Sequence, residues 1–479
     1  MHYENLALHT DKYELNMMYA HWINGTQDKM AVFDVFFRKT PFGNGYAVAA
    51  GLERIVRYLQ KLKFSEEMIA YLAEQEERYD PAFFDALREF RFTGNLYAVP
   101  EGTIVFAKEP LLRVEARVFE AQLIETALLN FLNFQTLIAT KAARIRQVAP
   151  DDVLLEFGTR RAQEADAAVW GARAAVIGGF DATSNLLAGH LFGIPTKGTH
   201  AHAWVQDHDS EEQAFEHYAK ALPDQVTLLV DTYDTLKSGI PNAIKVAKHL
   251  EAQGKKMNGI RLDSGDLCYL SKQARQMLDD AELDYVQIVA SSDLDEKTIL
   301  NLKAQGSRID IWGVGTKLIT AYDQPALGGV YKLVAREVNG QYEPTIKISG
   351  NPEKITTPGV KQVYRIINRK TGKSEGDYIA LLDETDVQRG KRIKMFDPVH
   401  TYISKYVSDY DAVPLLEPIF EKGELVYELP SLQAIQAHHR SQLPLFWPEY
   451  LRLLNPEAYP VDLSRKLYDL KMRLIDEHL

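Results

Sequence analysis

Two histidines two residues apart, His200 and His202, close the stretch Gly193 to Trp204. An H-x-H pair at a strand end can hold zinc, act as a general base or accept a phosphoryl group. A zinc hydrolase centre would recruit further histidines, and the later polar runs Asn258 to Asp266 and Asp284 to Asp293 contain none, so base or phosphoryl chemistry is the better functional reading, with a hydrogen-bonded structural histidine the alternative for either one. If the strand continued through the pair, both rings would face the same way. A second group, Arg261, Asp263, Ser264 and Asp266, places a cation, two acids and a hydroxyl on one turn. Arg261 and Asp263 share a face of any strand that carries them, and there carboxylates suit ribose hydroxyls or a hydrated Mg²⁺ while the guanidinium suits a phosphate or carboxylate. The same residues also read as a capped helix start, with Asp263 or Ser264 as the cap.

Three more runs end in useful side chains. Phe157-Gly158-Thr159-Arg160-Arg161 joins an aromatic ring, able to stack a flat heterocycle, to two guanidinium groups that need anions. Salt bridges from the arginines to Glu156 and Glu164 would account for them equally well. Gly313-Val314-Gly315-Thr316 follows a strand, and glycine-freed amides with a threonine hydroxyl make a phosphate cradle or, more plainly, a tight strand-to-helix turn. Asp231-Thr232-Tyr233-Asp234-Thr235 ends another strand, with Asp234 reading as a helix cap.

Elements must position these groups, and the chain from about Asp152 to Leu318 supplies them rhythmically: apolar runs alternate with helix-patterned segments, each run releasing polar residues at its C-terminal end. That is the signature of a parallel α/β fold, here read as an irregular, TIM-like α/β barrel. An α+β domain over 1–140 precedes the barrel core at 141–345, and a C-terminal extension, 346–479, packs on both. In the first domain a helix after Thr10-Asp11 carries Tyr13, a strand covers Ala31 to Arg38, and amphipathic helices cover Leu52 to Leu62 and Glu66 to Glu77. Three short strands follow between Gly94 and Ala116, then a long helix from Phe119 to Val148. Beyond the core, Asn339-Gly340 marks a hairpin and Leu463 to Glu477 a final helix.

Composition narrows the class. A chain of 479 residues exceeds one ordinary core, and with 46% hydrophobic and 25% charged residues it reads as a globular enzyme. A net charge of −11 argues against a general nucleic-acid or anionic-membrane surface. The single cysteine, Cys268, excludes an internal disulfide framework and suits a reducing compartment, so the cytoplasm is expected. No leader pattern or membrane-length apolar run is read.

Taken together, the motifs resemble those of the bacterial-type nicotinate phosphoribosyltransferases, type II phosphoribosyltransferases. Thr10-Asp11-Lys12-Tyr13-Glu14-Leu15, FGTRRAQ, GGFDATSNLLAG, GTHAHA, DTYDTLKSG, RLDSGDL, ASSDLDE and GVGTKL follow in that family's order over essentially the whole length. The resemblance implies that nicotinate attacks phosphoribosyl pyrophosphate, giving nicotinate mononucleotide and pyrophosphate, with ATP hydrolysis coupled through a phosphohistidine at His202. It further implies that Tyr13, from the neighbouring subunit of a homodimer, stacks on nicotinate opposite Phe157, with Arg160 and Thr199 near its carboxylate. Arg261 and Asp263 would hold the ribose and pyrophosphate side, Ser264 and Gly313 line the substrate, and Gly315 and Thr316 bind the 5-phosphate. Mg²⁺ would arrive with pyrophosphate or ATP, near Asp263 and Asp266. Substitution of His200 by alanine is expected to keep the ATP coupling. At Ala203 this chain departs from the many members that carry serine there. Nicotinamide is the alternative substrate; the similar position of that sister family holds an acid where this chain has Ser184. A metal-dependent barrel hydrolase and a non-catalytic nucleotide sensor are the readings from other classes.

Overall fold

A computed structural model describes residues 5–478, the side chain of Pro352 excepted. The chain divides, within the long helix Val118–Val148, into two compact units: residues 1–137 with 326–479, and residues 138–325. The sequence reading drew three domains; here the first and last stretches of the chain share one unit.

The 138–325 unit is built on a six-stranded parallel sheet in the order Ala182–Thr183, Val153–Glu156, Ile311–Val314, Gln287–Ser291, Gly259–Leu262, Thr227–Leu229. Its strands are short aliphatic runs because both faces are covered: Leu154, Leu228, Ile260, Ile288, Trp312 and Val314 are all fully buried. Helices Glu164–Ile177, Ile240–Ala252, Leu267–Asp280 and Glu296–Ala304 lie between strands. The last two start on polar caps: Asp266 accepts from the Tyr269 amide at 3.0 Å and Asp295 from the Thr298 amide at 2.7 Å. The cap of the helix after Arg261 is therefore Asp266, where the sequence suggested Asp263 or Ser264. Asp234 caps as expected, accepting from the Leu236 and Lys237 amides.

The sheet is open in its ladder. Among the described residues no pairing joins the Ala182–Thr183 edge to the Thr227–Leu229 edge. Ahead of the histidine pair the expected strand is reduced to a single bridge between Thr183 and Thr196, and the chain then turns at Ala201 into the short helix His202–Gln206. His200 and His202 consequently do not share a strand face: His200 is buried, and the His202 side chain is 40% exposed.

In the other unit a seven-stranded antiparallel sheet runs Gln341–Pro344, Gly329–Val338, Met30–Phe37, Leu112–Arg117, Asn95–Ala98, Glu417–Glu421, Glu424–Leu425. The Asn339-Gly340 hairpin forms as read, with positive φ at both residues (51° and 77°), the geometry that selects this dipeptide. Helix Lys12–Ile23 carries Tyr13 with its side chain half exposed; the helix Pro81–Arg88, absent from the sequence reading, is announced by Asp80, which accepts from the Ala82 amide. A four-stranded sheet of Tyr410–Pro414, Lys361–Asn368, Ser374–Leu381 and Val461–Leu463 completes the unit, with the last helix at Arg465–Asp476. No helix among the described residues is long and apolar enough to cross a membrane.

Candidate active site

The site is assembled at the C-terminal ends of the parallel strands, where side chains from separate strands converge. Its hub is Arg261. From the end of Gly259–Leu262 its guanidinium donates to Ser291 Oγ at 2.8 Å, to Thr199 Oγ1 at 3.0 Å and to Asp263 Oδ1 at 2.8 Å, and its Cζ lies 5.8 Å from the centroid of the Phe157 ring. One cation thereby ties together four loops. Ser291 Oγ also donates to Asp263 Oδ1. Burial pushes the Asp263 carboxyl up, but the hydrogen bonds from Ser291 and Arg261 and the arginine's charge outweigh it and hold the group below its ordinary range. Asp263 is an anion at neutral pH.

Behind Asp263 stands Asp231. Its Oδ2 accepts from the Asp263 amide at 2.8 Å and from Ser264 Oγ at 2.7 Å, while its Oδ1 is buried with no hydrogen-bond partner. His202 completes the group: Nδ1 pairs with Thr232 Oγ1 at 3.1 Å, and Nε2 lies 3.9 Å both from Asp231 Oδ1 and from Asp263 Oδ2. Each acid thus directs one oxygen that takes no hydrogen bond at the same ring nitrogen. Two carboxylate oxygens facing one gap are a donor set for a hard cation with oxygen and water ligands, so the residues fit Mg²⁺. No group of three or more His, Cys, Asp or Glu fit to hold a metal ion occurs among the described residues, so most of the ion's ligands would have to come from a bound substrate and water.

The neighbouring strand ends carry the remaining candidates. Glu156, buried, accepts from Thr183 Oγ1 at 2.6 Å and from the Gly158 amide at 2.5 Å, and the Ser184 amide donates to its carbonyl at 3.0 Å. These bonds fix the turns that present Phe157 and Ser184. Gly313 is glycine because of Phe157: an added Cβ would sit 2.7 Å from the ring's Cδ2. At Gly315 a Cβ would come within 3.2 Å of the Phe157 carbonyl oxygen, and Thr316 opens the single turn Thr316–Ile319. Arg160 and Arg161 are exposed in a 3-10 turn, and neither side chain makes a hydrogen bond or ion pair among the described residues. The salt bridges to Glu156 and Glu164 are not formed: Glu156 is engaged as above, and Glu164 caps its own following amide.

Three consecutive family profiles match: the nicotinate phosphoribosyltransferase N-terminal domain over residues 8–133, the nicotinate phosphoribosyltransferase family over 153–370, and its C-terminal domain over 360–471. The nicotinate phosphoribosyltransferase of Bacillus subtilis (strain 168) is 59% identical over 476 residues, covering 99% of this chain and 96% of that one. The chain belongs to the nicotinate phosphoribosyltransferase family. The Dictyostelium discoideum nicotinate phosphoribosyltransferase is 39% identical, with 96% of this chain and 86% of that one covered. The crystal structure of human nicotinic acid phosphoribosyltransferase superposes with a TM-score of 0.87 at 33% identity, covering 97% and 99% of the two chains. The nicotinate phosphoribosyltransferase match over 153–370 takes in every side chain of the Arg261 and His202 network, and the N-terminal-domain match takes in Tyr13.

Of the residues singled out from sequence, the structure brings together Phe157, Thr199, His202, Arg261, Asp263, Ser264 and Gly313. Ser184, Gly315 and Thr316 stand at adjacent strand ends, Asp266 is engaged as a helix cap, and Tyr13 lies in the other compact unit. Asp231 and Thr232, in the run Asp231 to Thr235, and Ser291, in ASSDLDE, were quoted within motifs but given no role in the site. Nothing in the sequence set them apart from their polar neighbours at the same strand ends.

Proposed function

We propose that this protein transfers the phosphoribosyl group of phosphoribosyl pyrophosphate to the ring nitrogen of nicotinate, in NAD biosynthesis, with ATP hydrolysis coupled through phosphorylated His202. The observation that carries this reading is the Arg261 frame, which sets an aromatic face, two carboxylates and an exposed histidine around one cation.

The nitrogen's lone pair attacks C1 of the ribose, the C1–O bond breaks, and its electron pair leaves with pyrophosphate. Positive character on C1 is met by the fixed charges of Asp231 and Asp263, while Arg261 faces the departing phosphates. Asp231 and Asp263 would hold Mg²⁺, which would supply charge neutralisation of the pyrophosphate. Asp266 stands one turn further on. Phe157 orients the pyridine ring, with Arg160 and Thr199 toward its carboxylate and Ser184 beside it; Gly313, Gly315 and Thr316 take the 5-phosphate side. Unpaired Arg160 and Arg161 favour a carboxylate over the neutral amide of nicotinamide. In the ATP half-reaction Nε2 of His202, the ring nitrogen that carries no hydrogen bond, takes the γ-phosphoryl group as the bond to ADP breaks, and water later cleaves the N–P bond.

In the same reading the parallel sheet is the wall of an irregular α/β barrel, and the protein is a cytoplasmic homodimer. Tyr13, 51% exposed on its helix with Met17 one turn on, comes from the neighbouring subunit to stack on nicotinate opposite Phe157. Pyrophosphate release from phosphoribosyl pyrophosphate, measured with nicotinate, nicotinamide and quinolinate in parallel and with and without ATP, tests the reading. Release with nicotinate, raised by ATP, is the expected result; turnover with nicotinamide alone would overturn the substrate assignment.

A further inference from the structure

His200 takes no part in the chemistry above, yet the residue is only 8% exposed and its ring holds a backbone group. The amide of Leu229, on the edge strand Thr227–Leu229, donates to His200 Nε2 at 3.1 Å. That edge has a ladder partner on one side only, Gly259–Leu262. On the other side the ring of His200 stands in for a strand. The bond also dictates the tautomer: Nε2 must be unprotonated to accept, so Nδ1 carries the proton, and it points at the Ala201 carbonyl oxygen 3.3 Å away. The ring packs edge-on to Tyr218, with centroids 4.9 Å apart, and near Phe215.

Its place in the chain gives this bond a use. The residue before it, Thr199, accepts from Arg261 Nη1, and two residues after it His202 faces Asp231 and Asp263. The segment enters from the Thr183 and Thr196 bridge on the opposite edge of the sheet. Between that bridge and the helix at His202, the His200 ring is the side-chain tie that secures the segment to the Thr227–Leu229 edge. We infer that His200 is a positioning residue for the ATP-coupled step: its imidazole pins the Thr199 to His202 segment across the open side of the sheet and so sets where Nε2 of His202 stands. Burial pushes the ring down to about 4, so it stays neutral and able to accept through the physiological range. The inference rests on the proposed role of His202, and it replaces the expectation that His200 is dispensable to the coupling.

Two substitutions separate the pin from mere packing. His200→Phe keeps the ring's bulk and removes the acceptor; His200→Gln keeps an acceptor near the Nε2 position. With γ-labelled ATP, His200→Phe is expected to form phosphoenzyme at a rate lowered on the order of tenfold, with ATP-stimulated kcat falling alike. His200→Gln should recover most of the loss. Wild-type labelling in His200→Phe, or equal impairment in both variants, would overturn the inference. Deuterium exchange at the Leu229 amide reads the pin without substrate: protected in wild type and His200→Gln, fast in His200→Phe. Equal protection in all three would overturn it, whatever the activity. Nitrogen NMR of histidine-labelled wild type checks the tautomer if His200→Phe does not fold, since a protonated Nε2 would be incompatible with the bond. A wild-type protein that shows the pin but never labels with ATP would instead count against the ATP coupling.

Discussion

The buried Oδ1 of Asp231 lies 3.9 Å from Nε2 of His202 and has no hydrogen-bond partner. An unsatisfied anionic oxygen in a shielded position is costly, and such costs persist where a ligand or a reaction step meets them. Its second oxygen is already committed to the Asp263 amide and Ser264, so the side chain cannot swing away to water.

This pair predicts a separation of functions. Asp231→Asn should keep the bonds to Asp263 and Ser264 while removing the charge, lowering phosphoenzyme formation by about 1.5 to 3 kcal/mol, the worth of a charged hydrogen bond. It should also raise the Mg²⁺ concentration needed for half-maximal labelling. His202→Ala should give no acid-labile phosphoenzyme and no ATP stimulation, yet retain slow ATP-independent transfer. Labelling that persists in His202→Ala would place the acceptor elsewhere.

Arg160 has no partner among the described residues, so its removal costs the fold nothing that the structure shows. Arg160→Ala is expected to change stability by no more than about 0.5 kcal/mol, as for ordinary surface positions. Its effect on nicotinate should be larger, on the order of 2 to 4 kcal/mol in KM for a desolvated carboxylate pair. Melting curves and steady-state kinetics on the same preparation separate the two, and an unchanged KM would remove Arg160 from the carboxylate site.

The exposed Tyr13 predicts complementation. Tyr13→Ala and Arg261→Ala should each be inactive as homodimers. Mixed under conditions shown to exchange subunits, they should regain about a quarter of wild-type activity, because half the dimers are mixed and one site of each is then intact. No recovery in exchanged dimers would count against a shared site.

Glu125 predicts a pH dependence of stability. Burial first, then the carboxylate of Glu14, pushes its carboxyl up to about 7, with Lys332 pulling the other way. A proton held more tightly in the folded state than in the unfolded one stabilises the fold at low pH. The contribution is complete below the unfolded carboxyl's range and is lost as pH rises through about 7. Glu125→Gln, fixed in the neutral form, should therefore match wild type only below about pH 4, where the unfolded carboxyl is also protonated, and exceed it near pH 8. Urea unfolding across that range checks the sign; a difference independent of pH would mean that Glu125 titrates alike in both states.

Much of the site was legible because parallel strands buried on both faces must be written as unbroken apolar runs, which makes their polar ends conspicuous. The pairing of Arg261 with Asp263 followed from period two alone, and their side chains do meet. Ser291 and Asp231 escaped because what marks them is a neighbour 28 and 32 residues away, through contacts that only strand order creates. The histidine pair misled because alternation presumes an extended chain, and the turn at Ala201 into a helix sends the two rings to different work. The C-terminal strands were harder still, since their partners are scattered from Asn95 to Val461.

The split of the chain also sets a timetable for synthesis. The 138–325 unit is continuous and has every strand of its sheet once Val314 has left the ribosome. The Met30–Phe37 strand emerges far earlier, but its second neighbour, Gly329–Val338, is still unmade. At about 5 to 20 residues per second that strand waits roughly 10 to 40 seconds with one edge bare. The part of the protein translated first is thus the last to be finished, and a nascent chain that has emerged from the ribosome only as far as residue 320 should display the complete parallel sheet and an N-terminal segment still open to chaperones.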